Sequence, residues 1–266
     1  MTTRYIDAHC HIQFEQYDTD REELIERMRE QGIAGVVVGC DLESSKKAVA
    51  LAEQHEHLYA SVGLHPNHAR DEVFDSAAYR ALAQSPKVVA IGECGLDFFR
   101  PEEVNEEVKR VQKEVFQKQI VLAGELGKPL ILHPRPSKGT MDAYQEITVL
   151  LQEAKNTYPK LRGDSHFFVG GEEEAAALTA LDFTVSFTAV VTFARDYDAV
   201  IRTVPLISIL AETDAPYVAP TSRRGQRNDP LAVIEVAEKI ASIRGEDLET
   251  VRSTLLENTK RLFELG

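Results

Sequence analysis

The sequence contains few cysteines, no long apolar run and no signal-peptide pattern. Its 266 residues include three cysteines, an odd number, and no Cys-x-x-Cys spacing. A disulfide framework is therefore not expected, and a reducing compartment fits. No apolar run approaches the roughly 20 residues that span a bilayer, and the first residues lead directly into a predicted strand. We expect a cytoplasmic protein that does not enter a membrane.

Positive charge is also scarce. The 30 Lys and Arg residues are outnumbered by 43 Asp and Glu residues, which gives a formal net charge of −13. A chain with this charge is not a general binder of polyanions, so any contact with nucleic acid needs a local basic patch or bound cations. The sequence has no low-complexity linker, and its length allows a sizeable core. We expect one domain that covers residues 1–266.

Short β-branched runs alternate with amphipathic segments along the chain. The predicted strands cover residues 5–8, 35–39, 58–64, 88–91, 130–132, 163–168, 183–187 and 207–210. The predicted helices cover residues 21–31, 44–54, 76–84, 103–126, 141–153, 172–180, 196–203, 231–243 and 247–263. This alternation implies a parallel sheet, and eight strands at this length favour a closed (β/α)8 TIM-type barrel. The alternative is an open doubly wound sheet, but no Gly-x-Gly-x-x-Gly motif follows the first strand.

Residues that can bind a metal occur where five of the predicted strands end. They are His9, His11, Glu93, His133, His166 and Asp214. In a barrel these strand ends meet at one face. A carboxylate or a histidine at a single strand end is often explained by ordinary hydrogen bonding, but that explanation is weak for five ends together. Nitrogen and carboxylate ligands suit zinc, manganese or iron, with magnesium possible at a carboxylate-rich site. Six ligands exceed the needs of one tetrahedral zinc, so two ions that share a carboxylate are expected.

Further candidates surround this set. His65 ends the third predicted strand; it is either a core histidine or a phosphate contact, and its place at the barrel mouth favours the latter. Arg223, Arg224 and Arg227 follow Asp214 in a short run. Such a run is usually a solvated face, but its arginines are suited to phosphate. His55 and His57 are expected to be solvated at the end of a surface helix.

Seven motifs connect these residues. They are DAHCH at 7–11, GLHP at 63–66, IGECGLDF at 91–98, LHPR at 132–135, SHFFVGG at 165–171, ETDAPY at 212–217 and RGQRNDP at 224–230. Through them the sequence resembles the TatD family of metal-dependent deoxyribonucleases over nearly its whole length. The resemblance implies that His9, His11, Glu93 and Asp214 hold one metal. It also implies that Glu93, His133 and His166 hold a second metal, with Glu93 as the bridge.

The sequence departs from the family pattern at two places. The family usually has His-x-Arg-Asp-Ala after the fifth strand, whereas residues 133–143 read HPRPSKGTMDA, as if several residues were inserted. The prolines should delay the following helix and change the substrate contacts. After the sixth strand, Phe167 replaces the usual cysteine and Val169 replaces a hydroxyl residue, which removes a possible polar contact near the second metal.

The expected activity is therefore hydrolysis of DNA phosphodiester bonds by two divalent ions (zinc, magnesium or manganese). Exonuclease-like cleavage of single-stranded or frayed ends is expected. Glu93, Asp214 as general base and His65 are the catalytic candidates. His65, Arg135, Arg223 and Arg224 are the candidates for holding the phosphate or the departing oxygen. The alternatives are a hydrolase of the same fold that acts on an amide, ester or lactone, and a non-catalytic binding protein that keeps its metals for structure. A monomer is expected, because a barrel buries its own core.

Overall fold

Eight parallel strands form one sheet in sequential order in the computed structural model, which describes residues 2–99 and 105–266. The strands are β1 (Tyr5–Cys10), β2 (Ile33–Val38), β3 (Leu58–Val62), β4 (Val88–Asp97), β5 (Leu130–Arg135), β6 (Gly163–Ser165), β7 (Phe183–Phe187) and β8 (Ile209–Ala211). The helices are α1 (Arg21–Glu30), α2 (Leu42–Gln54), α3 (Ser76–Leu82), α4 (Glu106–Leu126), α5 (Asp142–Lys155), α6 (Glu172–Thr179), α7 (Asp198–Thr203), α8 (Val233–Arg244) and α9 (Leu248–Phe263).

The sheet closes between β1 and the segment that follows β8. The amide of Asp214 donates to the carbonyl of His9 over 2.9 Å, and the amide of His11 donates to the carbonyl of Ala215 over 2.7 Å. These bonds lie at the carboxyl ends of the strands, so they join two groups of proposed ligands directly. The prediction of a (β/α)8 barrel is confirmed.

Several boundaries differ from the prediction. β4 continues to Asp97, six residues beyond its predicted end, because it pairs with β5 over that stretch, including Gly95 with His133 and Asp97 with Arg135. β8 begins at Ile209, since residues 206–208 form a 3-10 turn. The helix predicted from residue 103 is described from Glu106; residues 103 and 104 lie outside the described residues. Asn105 caps this helix, since its side chain accepts the amide hydrogens of the first turn.

The buried apolar side chains of the described residues form one large cluster and two smaller ones. Val36 and Val38 pack with Ile131 and Leu210 in a cluster that Phe263 of α9 helps to close. The residue between the two valines of β2 belongs instead to the larger cluster between sheet and helices, as strand alternation requires. Cys10 and Cys94, predicted to be small packed residues, are fully buried in that larger cluster. Within the described part of the chain, no helix has the length and apolar character needed to cross a membrane.

Candidate metal centre

The six proposed ligands converge at the carboxyl ends of the strands. On the β1 side, the Nε2 atoms of His9 and His11 lie 3.1 Å apart. His9 Nε2 is 3.5 Å from Oε2 of Glu93, and His11 Nε2 is 3.4 Å from Oδ1 of Asp214. All four side chains are nearly inaccessible to solvent. The strand ends therefore bring together the residues that were expected to share the first ion.

The second oxygen of Glu93 faces different partners. Its Oε1 lies 2.6 Å from Nδ1 of His133 and 2.9 Å from Nε2 of His166. His65 also reaches this oxygen, with its Nε2 at 3.4 Å. One carboxylate thus stands between two sets of imidazoles, which is the arrangement that a bridging ligand requires.

Hydrogen bonds connect β1, which carries His9, to the segment after β8, which carries Asp214. Asp7 accepts hydrogen bonds from the hydroxyl and the amide of Thr213, at 2.5 and 2.8 Å. It also accepts from the amide of His9 at 3.2 Å, so it ties β1 to the segment after β8. The backbone of Asp214 has a φ of 53°. This angle lies in the left-handed region, which few non-glycine residues adopt. The Asp214 backbone is held there by the bond to His9 and by the amide of Tyr217, which donates to its carbonyl over 2.9 Å.

The electrostatics of the cluster depend on Glu93. Burial alone would raise the pKa of this carboxyl, but the surrounding imidazoles, His166 first, hold its pKa well below the usual range. Burial and the neighbouring His133 together lower the pKa of His65 to about 4, although Glu93 and Asp97 act in the opposite direction. His65 is therefore a neutral imidazole at neutral pH. Its Nδ1 accepts the amide hydrogen of Asn67 over 3.1 Å, so its Nε2 carries the proton and faces Glu93.

The donor set fits a divalent metal ion. Three groups offer one ligand atom per residue, all within 4.8 Å of one another: His9, His166 and Asp214; His9, His11 and Glu93; His65, Glu93 and His133. His11 Nδ1 lies 2.8 Å from the carbonyl of Val38 and donates to it, which leaves the Nε2 lone pair directed at the carboxylates. Imidazole nitrogens mixed with carboxylates are ligands that zinc, manganese and iron accept.

Two acidic residues at this site were not assigned a role by the sequence. Asp97 Oδ2 lies 3.3 Å from Nε2 of His133. Glu212 Oε1 lies 3.3 Å from Nδ1 of His166, a close charge contact rather than a well-aligned hydrogen bond. The spacing of Asp97 was a usable signal, because residues an even number apart on a strand share a face, whereas Glu212 and Asp214 both follow the end of β8 at Ala211. Asp97 lies four residues after Glu93, and Glu212 lies two before Asp214.

A cavity of about 950 Å³ opens above the cluster. Its floor includes Glu93, His133, His166, His65 and Asp214, and its mouth includes Phe14, His68, Phe99, Arg135, Lys138, Phe167, Val169 and Tyr217. The volume is at the upper end of the range for small-molecule sites. Phe167 and Val169, the two departures from the family pattern, therefore add apolar surface to the cavity wall rather than polar contacts.

Residues 134–141 form one wall of this cavity. The loop is held by Asp142, the first residue of α5. This carboxylate accepts the amide of Ser137 over 2.9 Å and the hydroxyl of Ser137 over 2.7 Å. The amide of Thr140 donates to the carbonyl of Ser137 over 3.0 Å. The delayed helix start expected from the prolines is observed, and the extra residues form an ordered wall.

The three arginines that follow Asp214 do not line the cavity, whereas Arg135 does. Arg223 pairs with Asp229 at 2.6 Å, and the guanidinium of Arg224 lies 4.0 Å from the ring centre of Phe193. Arg227 binds Asp20 at 2.8 Å. These side chains all contact neighbouring parts of the chain, and Arg224 and Arg227 remain exposed at the surface.

Comparison with known proteins supports the resemblance seen in the motifs. The profile of the family described as TatD related DNase matches residues 6–264. The chain belongs to the TatD family. It is 38% identical over 264 residues to the uncharacterized metal-dependent hydrolase YabD of Bacillus subtilis, with 98% of this chain and 99% of that protein covered.

Two further relatives of this TatD-family chain are informative. The chain is 35% identical over 261 residues to the 3'-5' ssDNA/RNA exonuclease TatD of Pantoea ananatis, with 94% of this chain and 95% of the relative covered. The crystal structure of YJJV, a TatD homologue from Escherichia coli, superposes with a TM-score of 0.88 at 28% identity and covers all of both chains. The fold and the family therefore agree over the full length.

Proposed function

We propose that this chain is a metal-dependent hydrolase that uses two divalent ions to remove nucleotides from the ends of single-stranded or frayed DNA. The observation that carries the proposal is the position of Glu93. Its two oxygens face two different sets of imidazoles on the floor of an open cavity. A binuclear metal site of this kind suits an in-line displacement at phosphorus.

The proposed ligands divide between two positions. His9, His11 and Asp214 form the first, His133 and His166 form the second, and Glu93 belongs to both. Zinc, magnesium or manganese would lower the pKa of a bound water and polarise the phosphate when present. Asp214 is at the edge of the cluster and lines the cavity, so it is placed to accept a proton as general base.

His65 is suited to a complementary role. Because its Nδ1 accepts the Asn67 amide, its Nε2–H is directed toward the floor of the cavity. A neutral imidazole in this tautomer donates a hydrogen bond to a phosphate oxygen or to the departing oxygen. It is therefore proposed to hold charge on the substrate rather than to take a proton from water.

The mouth of the cavity supports a single-stranded substrate. The guanidinium of Arg135 lies 4.2 Å from the ring centre of Phe99, and the Phe99 and Tyr217 side chains are 42% and 49% exposed. Exposed aromatic rings beside a cation are the usual elements for stacking unpaired bases and holding their backbone. Bases inside an intact duplex are not available for such stacking. A relative that is named a 3'-5' ssDNA/RNA exonuclease adds support for single strands.

Arg223 and Arg224 are proposed as outer phosphate contacts for a longer strand. The pairing of Arg224 with Phe193, which is 39% exposed, repeats the combination of Arg135 with Phe99 at a position outside the cavity. The inner contact is Arg135. A cytoplasmic monomer is the proposed working form, and the three free cysteine thiols are compatible with a reducing compartment.

The test is cleavage of labelled oligonucleotides by metal-loaded protein. Single-stranded DNA labelled at either end, the same strand as RNA, a blunt duplex and a nitrophenyl ester are compared with Glu93→Gln as the inactive control. Stepwise shortening of the single strand, absent in the control and slow on the duplex, is the expected result. Hydrolysis of the ester with intact single strands would overturn the proposal in favour of carbonyl chemistry.

A further inference from the structure

The imidazoles of the second metal position are each in contact with a second carboxylate. His133 faces Glu93 with Nδ1 and Asp97 with Nε2, at 2.6 and 3.3 Å. His166 faces Glu93 with Nε2 at 2.9 Å and Glu212 with Nδ1 at 3.3 Å. In both residues one ring nitrogen is directed at the site and the other at an acidic side chain.

The imidazoles of the first position lack such partners. His11 Nδ1 donates to a neutral carbonyl, that of Val38, at 2.8 Å. His9 Nδ1 is buried and has no hydrogen-bond partner within residues 2–99 and 105–266. His166 Nδ1 also lacks a well-aligned hydrogen bond there, but it has the Glu212 carboxylate at 3.3 Å, and His9 Nδ1 has no such carboxylate. The two metal positions share Glu93 but differ in the groups that contact the outer ring nitrogens of their histidines.

Asp97 and Glu212 are themselves fixed. Asp97 is 2% exposed and accepts hydrogen bonds from the side chain of Asn67 at 3.2 Å and from the amide of Phe99 at 3.0 Å. Glu212 is fully buried and accepts the amide of Phe167 at 2.7 Å and the hydroxyl of Ser186 at 2.8 Å. Neither carboxylate has to be ordered when an ion binds, so little conformational entropy is lost there.

We propose that the two metal positions are unequal, and that the one formed by Glu93, His133 and His166 binds a divalent ion more tightly than the one formed by His9, His11 and Asp214. Asp97 and Glu212 are positioning residues in this inference, which rests on the two-metal assignment of the proposed function. A carboxylate that accepts the outer N–H of a ligand histidine, as Asp97 does for His133, fixes its tautomer and raises its basicity. Glu212 acts on His166 through the charge contact at 3.3 Å, which also raises the basicity of the imidazole. Loss of such a partner typically costs about 10- to 100-fold in metal affinity.

The test is a titration of metal-free protein with zinc against a chromophoric chelator. Wild type is expected to take up two ions in two separable steps. His133→Ala should remove the tighter step, and His11→Ala should remove the weaker one. Asp97→Asn and Glu212→Gln should each weaken the tighter step by about 10- to 100-fold and leave the weaker step in place.

Asp229→Asn is the matched control, because it changes a buried carboxylate that pairs with Arg223 and touches no histidine of the site. Thermal unfolding of the metal-free variants separates misfolding from loss of affinity. Two equal steps in wild type, or loss of the weaker step in His133→Ala, would overturn the inference. Two unequal steps in a protein that leaves single strands intact would overturn the proposed nuclease function and leave this inference standing.

Discussion

At the scale of single residues, Glu93 connects the two halves of the candidate site. Its Oε1 contacts His133 and its Oε2 faces His9. Protein purified without chelator is expected to contain about two divalent ions per chain, as measured by elemental analysis. Glu93→Ala should lower occupancy at both positions, whereas His9→Ala should mainly lower one. A wild-type content of one ion at saturation, unchanged by removal of Glu93, would contradict the binuclear assignment.

His57 was expected to be solvated, but its side chain is only partly exposed, and its Nε2 lies 3.3 Å from the carbonyl of Ile25. Burial lowers its pKa, and the hydrogen bond to Ile25 only partly offsets this shift. The unfolded chain therefore takes up the proton first as the pH falls below about 6.5. The stability that neutral His57 contributes is present above that pH and is lost as the pH falls toward the lowered pKa of the folded state.

His57→Gln should remove this dependence. Urea unfolding of wild type and variant at pH 7.5 and at pH 5, at one fixed metal concentration, measures it. The free energy of unfolding of the variant is expected to fall less on acidification than that of wild type. Parallel losses in the two proteins would show that His57 does not contribute to acid sensitivity.

At the scale of elements, the strand pattern was sufficient to predict which residues would meet. His9, Glu93 and His133 end predicted strands, and a parallel barrel brings such ends together whatever the details of packing. The extension of β4 to Asp97 was not predictable, since the short glycine-containing stretch after Glu93 is stabilised as strand by pairing with β5. The orientation of Arg223 was likewise decided by a partner, Asp229, that local sequence does not select.

The loop between β5 and α5 gives an element-scale prediction. Asp142→Ala removes the acceptor for the amide and hydroxyl of Ser137, which should loosen the cavity wall that carries Lys138. Loss of the pre-ordered wall should cost substrate binding about 1.4 kcal/mol, which is a rise in KM for single-stranded DNA of about tenfold. The turnover number should change little, because no proposed metal ligand is touched.

The control for this experiment is Thr140→Val, which removes the hydroxyl that donates to the carbonyl of Ser137 at 3.0 Å and accepts the amide of Asp142 at 3.4 Å. This variant keeps the Asp142 carboxylate. Its KM should rise much less. A fall in turnover with unchanged KM in Asp142→Ala would show that the loop supports the metal centre rather than the substrate.

At the scale of the whole molecule, the protein and its proposed substrate are both negatively charged. The net charge of −13 repels DNA at long range. Binding therefore has to come from the metal ions and from a few cations at and around the barrel mouth. Among the described residues, the proposed cations are Arg135 and Lys138 in the cavity wall and Arg223 and Arg224 outside it. Each phosphate contact to a single strand contributes about 0.7 to the slope of log binding constant against log salt concentration. Four contacts therefore give a shallow slope, on the order of two to four units.

This slope is measured by anisotropy of a labelled single strand at increasing salt, with Asp214→Asn protein to prevent turnover. Arg223→Glu combined with Arg224→Glu should weaken binding and reduce the slope by about 1.4 units, which is two contacts, while metal content stays unchanged. Arg135→Gln should reduce the slope by about half as much. In protein that keeps Asp214, where KM is measured by cleavage, Arg135→Gln should raise KM more than the double variant does, because Arg135 lines the cavity and the other two arginines do not. A double variant with the affinity, slope and KM of wild type would remove Arg223 and Arg224 from the substrate path and leave Arg135 as the inner contact.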